Sequence, residues 1–426
     1  MSVRAGILVT GTEVVTATIA DRNGPWLSER LAELGVEVAY ILQVADRPED
    51  MRAALRFLSD EGVDLIVTSG GLGPTADDLT AEIVGEHAGR ELVLDEAMEE
   101  RIAAILAEFA RRMNFDADAL REANRKQAMV PEGATPIDPA GTAPGLVVPV
   151  EGGPTVIVLP GPPRELRQMW PQALETAAVR EALGRAEPLE LTTLRLFGIP
   201  ESEIAQTLRE IEQEADISAL EITTCLRRAE LHVDIRHRAG AEAALEALTD
   251  GIVGRHGRFL FSDDGSSIDE QVAALLRDGH RVGLAESCTA GLLAARLSEP
   301  PGASEYLAGG VVAYSNDAKA ELLRIPVELI ERHGAVSPEV AEAMADGALA
   351  RFNADIGVGI TGIAGPEGGT EEKPVGYVCI CVKDAGGGMI ARDPVLPGDR
   401  ADIRDRAATV AMHLLRRLLR GEDFPL

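Results

Sequence analysis

Cysteine is scarce: Cys225, Cys288, Cys379 and Cys381 are the only four among 426 residues. None forms a C-x-x-C pair, and a chain of this length is no small disulfide scaffold. The alternating pair Cys379 and Cys381 would share one face of a strand, so reduced core cysteines are expected. Aromatics make up 3% and histidines number seven, scattered from His87 to His413, so a Ser-His-Asp triad finds no support. Basic residues are outnumbered, 41 Lys and Arg against 70 Asp and Glu for a net charge of −29. That balance disfavours nucleic acid and anionic membranes as partners, so any anionic ligand must be met locally. No apolar run approaches the roughly 18 residues of a spanning helix, and Met1 leads to the short run Gly6–Val9 without a long apolar leader. A cytoplasmic protein is expected.

What remains is the composition of an ordinary globular chain, 46% hydrophobic and 26% charged, with 43 glycines and length for two or three domains. Strand-like Gly6–Thr10, a helix carrying Leu27, Leu31 and Leu34, strand Val36–Val44, a helix begun by an Asp46/Glu49 capping box and strand Val63–Val67 alternate as in a parallel sheet. Helices over Leu79–Ala88 and Glu96–Met113 and a strand over Val156–Leu159 complete a first α/β domain, 1–170. Residues 171–262 read as β-α-β-β-α-β, a small α+β sandwich. A Ser267/Glu270 capping box opens a third domain, 263–426, again α/β.

The first chemical constellation is TSGGLGPTADDLT at 68–80. Glycines let backbone amides approach a ligand, and a following helix N-terminus favours phosphate. Asp77 and Asp78 would repel a bare phosphate but suit a divalent cation bridging to one. A plain glycine turn with a helix-capping Asp pair explains the same letters.

The second is Glu286-Ser287-Cys288-Thr289-Ala290-Gly291 at a strand-to-helix turn, where a hydroxyl would meet helix N-terminal amides. Without a histidine, the base is expected to be Lys319, with its pKa lowered by burial and Tyr314 as a relay. Cys288 is an alternative nucleophile, and an N-cap serine with a solvated lysine is the bland alternative. Ile360–Gly369 ends a further strand in a glycine-rich loop fit to cover a small ligand.

GTEVV at 11–15, Asn23, SGGLGPTADDLT, NRKQA at 124–128, GTAPG at 141–145 and PGPPRE at 160–165 occur in order, as do AESCTAG at 285–291, AYSNDAK at 313–319, GAVS at 334–337, TGIAGPEGG at 361–369 and EKPVGYV at 372–378. Together they resemble the CinA family of competence/damage-inducible proteins, over nearly the whole chain. The resemblance implies a molybdopterin-binding-like N-terminal domain, a KH-like middle domain and a C-terminal domain similar to nicotinamide mononucleotide deamidases. It implies metal-dependent ADP-ribose hydrolysis in the first domain, with Asp77 and Asp78 serving a divalent metal of magnesium or cobalt type, potassium as an accessory cation, Gly70, Gly71 and Gly73 the phosphates, and Glu13, Asn23, Thr142 and Glu165 the rest of the pocket. In the third it implies deamidation of nicotinamide mononucleotide without a cofactor. Ser287 would be the nucleophile, activated by Tyr314 and Lys319. Thr361, Thr289, Gly362, Gly365, Gly368 and Gly369 would line the substrate and Arg400 would meet its phosphate. The family also implies a homodimer. A binding or regulatory protein without turnover in the first domain is the competing expectation. One departure stands beside the serine, where Ala290-Gly291 replaces the usual Gly-Gly. The middle domain is expected to lack a G-x-x-G nucleic-acid clamp.

Overall fold

The computed structural model describes residues 2–110 and 125–422. Asn124 of the NRKQA motif and the end of the helix expected to reach Met113 lie outside them. The chain forms two compact units, Met1–Glu190 and Leu191–Leu426.

In the first unit β1 (Val3–Thr10), β2 (Val36–Val44) and β3 (Leu65–Ser69) pair in parallel. A two-stranded ribbon follows, β4 (Leu92–Leu94) with β5 (Met129–Pro131). Then β6 (Thr135–Ile137), β7 (Gly145–Pro149) and β8 (Thr155–Leu159) complete a six-stranded sheet of order β2-β1-β3-β8-β7-β6. Strand β8 joins β3 in parallel, and β7 and β6 run antiparallel. The five residues of β3 are all buried, as a strand covered on both faces requires. Helices Asn23–Glu33 and Pro163–Glu175 bury Leu27, Leu31, Leu166 and Met169 on one face. Helix Pro48–Asp60 buries Leu55 and Leu58 on the other. Val179, beyond the boundary expected at 170, sits fully buried in the same core. The expected Asp46/Glu49 capping box does not form: the N-cap is Arg47, without a side-chain bond. Asp46 instead binds Thr12 through its amide (2.8 Å) and hydroxyl (3.1 Å).

The second unit opens with β9 (Glu190–Phe197), β10 (Glu221–Arg227), β11 (Glu230–His237) and β12 (Leu260–Ser262) in the order β10-β11-β9-β12. Helices Glu201–Glu214 and Glu242–His256 complete the expected β-α-β-β-α-β succession. Two G-x-x-G spacings do occur, contrary to expectation, at Gly251–Gly254 and Gly254–Gly257. They lie on helix Glu242–His256 and its C-cap, not in a loop. The last sheet has β13 (Val282–Glu286), β14 (Leu307–Val312), β15 (Ile356–Gly362), β16 (Val378–Asp384) and β17 (Met389–Arg392) in the order β14-β13-β15-β16-β17. The first three are parallel and the last two antiparallel. The Ser267/Glu270 capping box forms as expected. Cys379 and Cys381 are fully buried, and all four cysteines are free.

Both parallel sheets share one topological feature. Consecutive strands lie on either side of the first, β2-β1-β3 in one and β14-β13-β15 in the other. Connections then leave in opposite directions and open a crevice at the carboxyl ends of the strands, where ligands of such sheets bind.

Candidate active sites

In the first unit that crevice is a cavity of about 390 Å³ lined by Thr10 and Gly11 at the end of β1, Gly70, Gly71 and Gly73 after β3 and Pro160–Pro162 after β8. Gly70 and Gly71 adopt φ of +110° and +65°. A Cβ on Gly71 would lie 2.2 Å from Thr80 Oγ1, and one on Gly70 2.5 Å from the Thr10 carbonyl. Thr80 closes the loop, its hydroxyl donating to the Gly70 carbonyl (2.8 Å) and its amide to that of Gly71 (3.1 Å). The helix behind the loop, Thr80–His87, therefore spends its first amide on the loop, and the expected helix N-terminal contribution to phosphate binding is absent at that amide.

The sequence-predicted residues Glu13, Asp77, Asp78, Thr142 and Glu165 all line this cavity. Asp77 and Asp78 do not cap the helix, whose N-cap is Leu79. Both carboxylates gather on Thr75, and the hydrogen bond from its hydroxyl holds the Asp77 carboxyl below its ordinary range. Burial raises the pKa of Glu165. Asn23 stands behind the wall, donating to Ser69 Oγ (2.8 Å) and the Gly161 carbonyl (2.7 Å), so it positions the Pro160–Pro162 turn. Among the lining residues that the sequence did not nominate are Asp46 and Gln127. Asp46, held by Thr12 rather than capping a helix, reaches the lining. Gln127, within NRKQA, donates to the Leu72 carbonyl (3.0 Å) and braces the glycine loop.

In the second unit Ser287 follows β13 directly, its amide donating to the Ile360 carbonyl (2.9 Å). Helix Asn316–Leu323, which follows β14, brings Lys319 Nζ to 3.0 Å from Ser287 Oγ. Lys319 is 2% exposed and also donates to the carbonyls of Ala313 (3.1 Å) and Tyr314 (3.4 Å). Burial lowers its pKa from the ordinary lysine value. A solvated helix lysine is thereby excluded. Ser287 is likewise no N-cap: the following helix, Leu292–Ser298, is capped by Gly291. The amides at that helix start do not await an oxyanion as expected. Buried Glu286 accepts from the amides of Gly291 (2.9 Å), Leu293 (3.2 Å) and Ala294 (2.9 Å), a role its place in the motif does not announce. Cys288 is buried, which pushes its thiol up to about 12 and leaves it protonated at neutral pH.

The other sequence-predicted residues differ in depth. Thr361, at the end of β15, is buried and donates to the Ala335 carbonyl (2.8 Å). Thr289 is fully buried, with a hydroxyl that has no hydrogen-bond partner among the described residues. Tyr314 is 55% exposed, and its hydroxyl accepts from Arg400 (2.7 Å). Its link to Lys319 runs through its backbone carbonyl; among the described residues no hydrogen bond joins its phenol to Lys319 or Ser287. Arg400, the first residue of helix Arg400–Arg420, also donates to the Gly365 carbonyl (2.7 Å), tying Tyr314 to the glycine loop. In that loop Gly365 and Gly368 take φ of +76° and +91°. Gly362 and Gly369 pack where a Cβ would meet Val378 and Val375.

Each unit thus contains an α/β domain with a candidate site at its switch point, one an oxygen-rich pocket over a glycine loop and the other a buried serine–lysine pair. Residues 6–179 match the probable molybdopterin binding domain, and residues 265–419 match the CinA C-terminal domain. CinA-like proteins of Mycobacterium sp. strain JLS and of Mycolicibacterium vanbaalenii are each 59% identical, over 98% and 99% of this chain and 99% and 100% of theirs. A solved structure, the competence/damage inducible protein CihA of Agrobacterium tumefaciens, is 39% identical over 35% of this chain and 94% of that one, with a TM-score of 0.34. The chain belongs to the CinA family, with a molybdopterin-binding-like N-terminal domain. Among the described residues no helix is long and apolar enough to cross a membrane.

Proposed function

We propose that the protein is a hydrolase of pyridine-nucleotide salvage whose C-terminal domain converts nicotinamide mononucleotide to nicotinate mononucleotide and ammonia. The observation that carries this reading is the buried Lys319 Nζ, 3.0 Å from Ser287 Oγ. Burial favours the neutral amine, which takes the serine proton as Oγ bonds to the carboxamide carbon. The C–N bond then breaks, Nζ returns its proton to the departing nitrogen, and ammonia leaves an acyl ester on Ser287. Water cleaves that ester, releasing the carboxylate and restoring the hydroxyl. Arg400 would meet the substrate phosphate, Thr361 and Thr289 would line the reacting end, and Tyr314 would hold Arg400 in place.

For the N-terminal pocket the reading is hydrolysis of ADP-ribose with a divalent metal of magnesium or cobalt type. Asp77 and Asp78 offer the hard oxygens such a cation takes. Among the described residues no three His, Cys, Asp or Glu side chains converge as a closed metal cage. Such a cation, when bound, neutralises charge on the phosphates. Gly70, Gly71 and Gly73 would admit the phosphates close to the backbone.

The test is product formation from each substrate by the full chain. Ser287→Ala abolishes ammonia release and leaves ADP-ribose hydrolysis intact, and Asp77→Asn with Asp78→Asn does the reverse. A folded wild type that releases no ammonia from nicotinamide mononucleotide overturns the deamidase reading. Metal-independent ligand binding without product release in the first domain overturns the second.

A further inference from the structure

Away from both crevices, where the β9–β12 sheet meets the last helix, the second unit holds a cavity of about 480 Å³. Its walls carry four guanidinium groups, Arg258, Arg416, Arg417 and Arg420, against two carboxylates, Asp263 and Glu422. In a chain of net charge −29 this is a local reversal of sign. Basic residues in the last turn complement a helix's terminal carbonyls, which accounts for Arg417 and Arg420 on helix Arg400–Arg420. It does not account for Arg258, which reaches the same cavity from the turn before β12.

The site is built on a rigid floor. Arg416 is 6% exposed and committed on three sides: to Gln271 Oε1 (2.7 Å), to the Phe261 carbonyl (3.4 Å) and to Glu422 (2.9 Å). His413 lies against Phe197, ring centroids 3.7 Å apart and nearly parallel, with Phe261 edge-on at 4.7 Å. Its Nε2 is 2.8 Å from Glu230 Oε1, so its polar end is occupied. Arg258, which also lines the cavity, lies over the Phe259 ring, 4.4 Å from its centroid. Arg420 is nearer solvent, 3.5 Å from Glu422. Planar guanidinium forks from two elements around one cavity suit a tetrahedral oxyanion.

We infer that this cavity is a phosphate-binding site, separate from both candidate active sites, that takes a phosphate-bearing small molecule between Arg258 and Arg420. A ligand there would bridge the β9–β12 sheet to the helix whose first residue, Arg400, holds Tyr314 and the glycine loop beside Ser287.

The test is hydrogen exchange on the full-length protein with inorganic phosphate or AMP as probe, at ionic strength matched with chloride. Protection at residues 257–263 and 413–420 is expected with phosphate and not with chloride. The double variant Arg258→Ala/Arg420→Ala, checked for folding by its unfolding temperature, is expected to weaken the protection at least about tenfold. Protection that phosphate would induce around Gly70–Gly73 or Ser287 should persist in that variant. Equal protection by inorganic phosphate and AMP would show that the phosphate alone is read; tighter binding of AMP would show that the phenylalanine walls read the base. No protection of these segments by millimolar phosphate, equal protection by chloride, or protection unchanged in the double variant overturns the inference.

Discussion

Replacing Lys319 by Met keeps a side chain of similar length in the buried slot and removes only the amine that faces Ser287 Oγ at 3.0 Å. A positioned general base contributes about 10²- to 10⁴-fold, so deamidation is expected to fall by that factor, or about 3–5 kcal/mol of barrier at 1.36 kcal/mol per decade. Ser287→Ala interrupts the same proton path, so the double variant should lose no more than the worse single variant. The pH profile carries a second signature. Only neutral Lys319 can accept the proton, and burial lowers its pKa below the ordinary 10.5. The rate should therefore rise with pH and level off before 10.5. Stability should climb across the same window, because the unfolded chain holds that proton to higher pH than the folded one. Lys319→Met should remove both rises. The assays are steady-state ammonia release and equilibrium unfolding across pH. A variant that retains more than a tenth of the wild-type rate, an acid limb at an unshifted 10.5, or losses that multiply in the double variant would refute the serine–lysine pairing.

Ala290 sits at φ +51° with an exposed methyl, ahead of the helix that starts at Leu292. Ala290→Gly should relieve about 1–2 kcal/mol of left-handed strain, less the glycine entropy cost, for a net gain of about 0.5–1 kcal/mol in thermal unfolding; a loss of stability would contradict that. Gly71→Ala introduces a Cβ 2.2 Å from Thr80 Oγ1 at φ +65°. It should cost about 2–3 kcal/mol and abolish turnover in the first domain while ammonia release is unchanged, and full ADP-ribose hydrolysis by the variant would count against the pocket. Burial alone would raise the pKa of Glu230, but the His232 ring 3.6 Å away and the hydrogen bond from His413 (2.8 Å) outweigh it and hold the carboxyl at about 2. The depressed folded pKa makes its contribution fully present above the unfolded value of about 4.5 and lost as pH falls toward 2. Glu230→Gln should flatten up to about 3 kcal/mol of that acid dependence in unfolding titrations, and an unchanged slope would show that the carboxylate is not the group responsible.

Much of the fold was legible because its signals are local. Strands β1, β3, β8 and β13 are short apolar runs bounded by glycine or polar turns, and their helices carry apolar residues at helical spacing. The Ser267/Glu270 box formed where its letters stand, yet the equally good Asp46/Glu49 box did not. Its aspartate was drawn off by Thr12, 34 positions earlier, a competitor no local window contains. The same limit hid Gln127, whose partner Leu72 is 55 positions away, and Glu286, whose amide partners are near in sequence but assemble only when the turn at 287–291 takes its shape.

The candidate sites divide along the same line. Residue types and their order sufficed to nominate the glycine loop, the Asp77-Asp78 pair, Ser287 and Lys319, because hydroxyl, amine and carboxylate chemistry is written in single letters. Folding alone settled what each could do: whether Lys319 is a solvated cation or a buried amine, whether Asp77 and Asp78 cap a helix or face a cavity, and whether the amides after Ser287 are free or held by Glu286. Burial, pairing and distance belong to neighbours contributed by other strands and helices. A one-dimensional pattern encodes only which of those contacts its residues are chemically able to make.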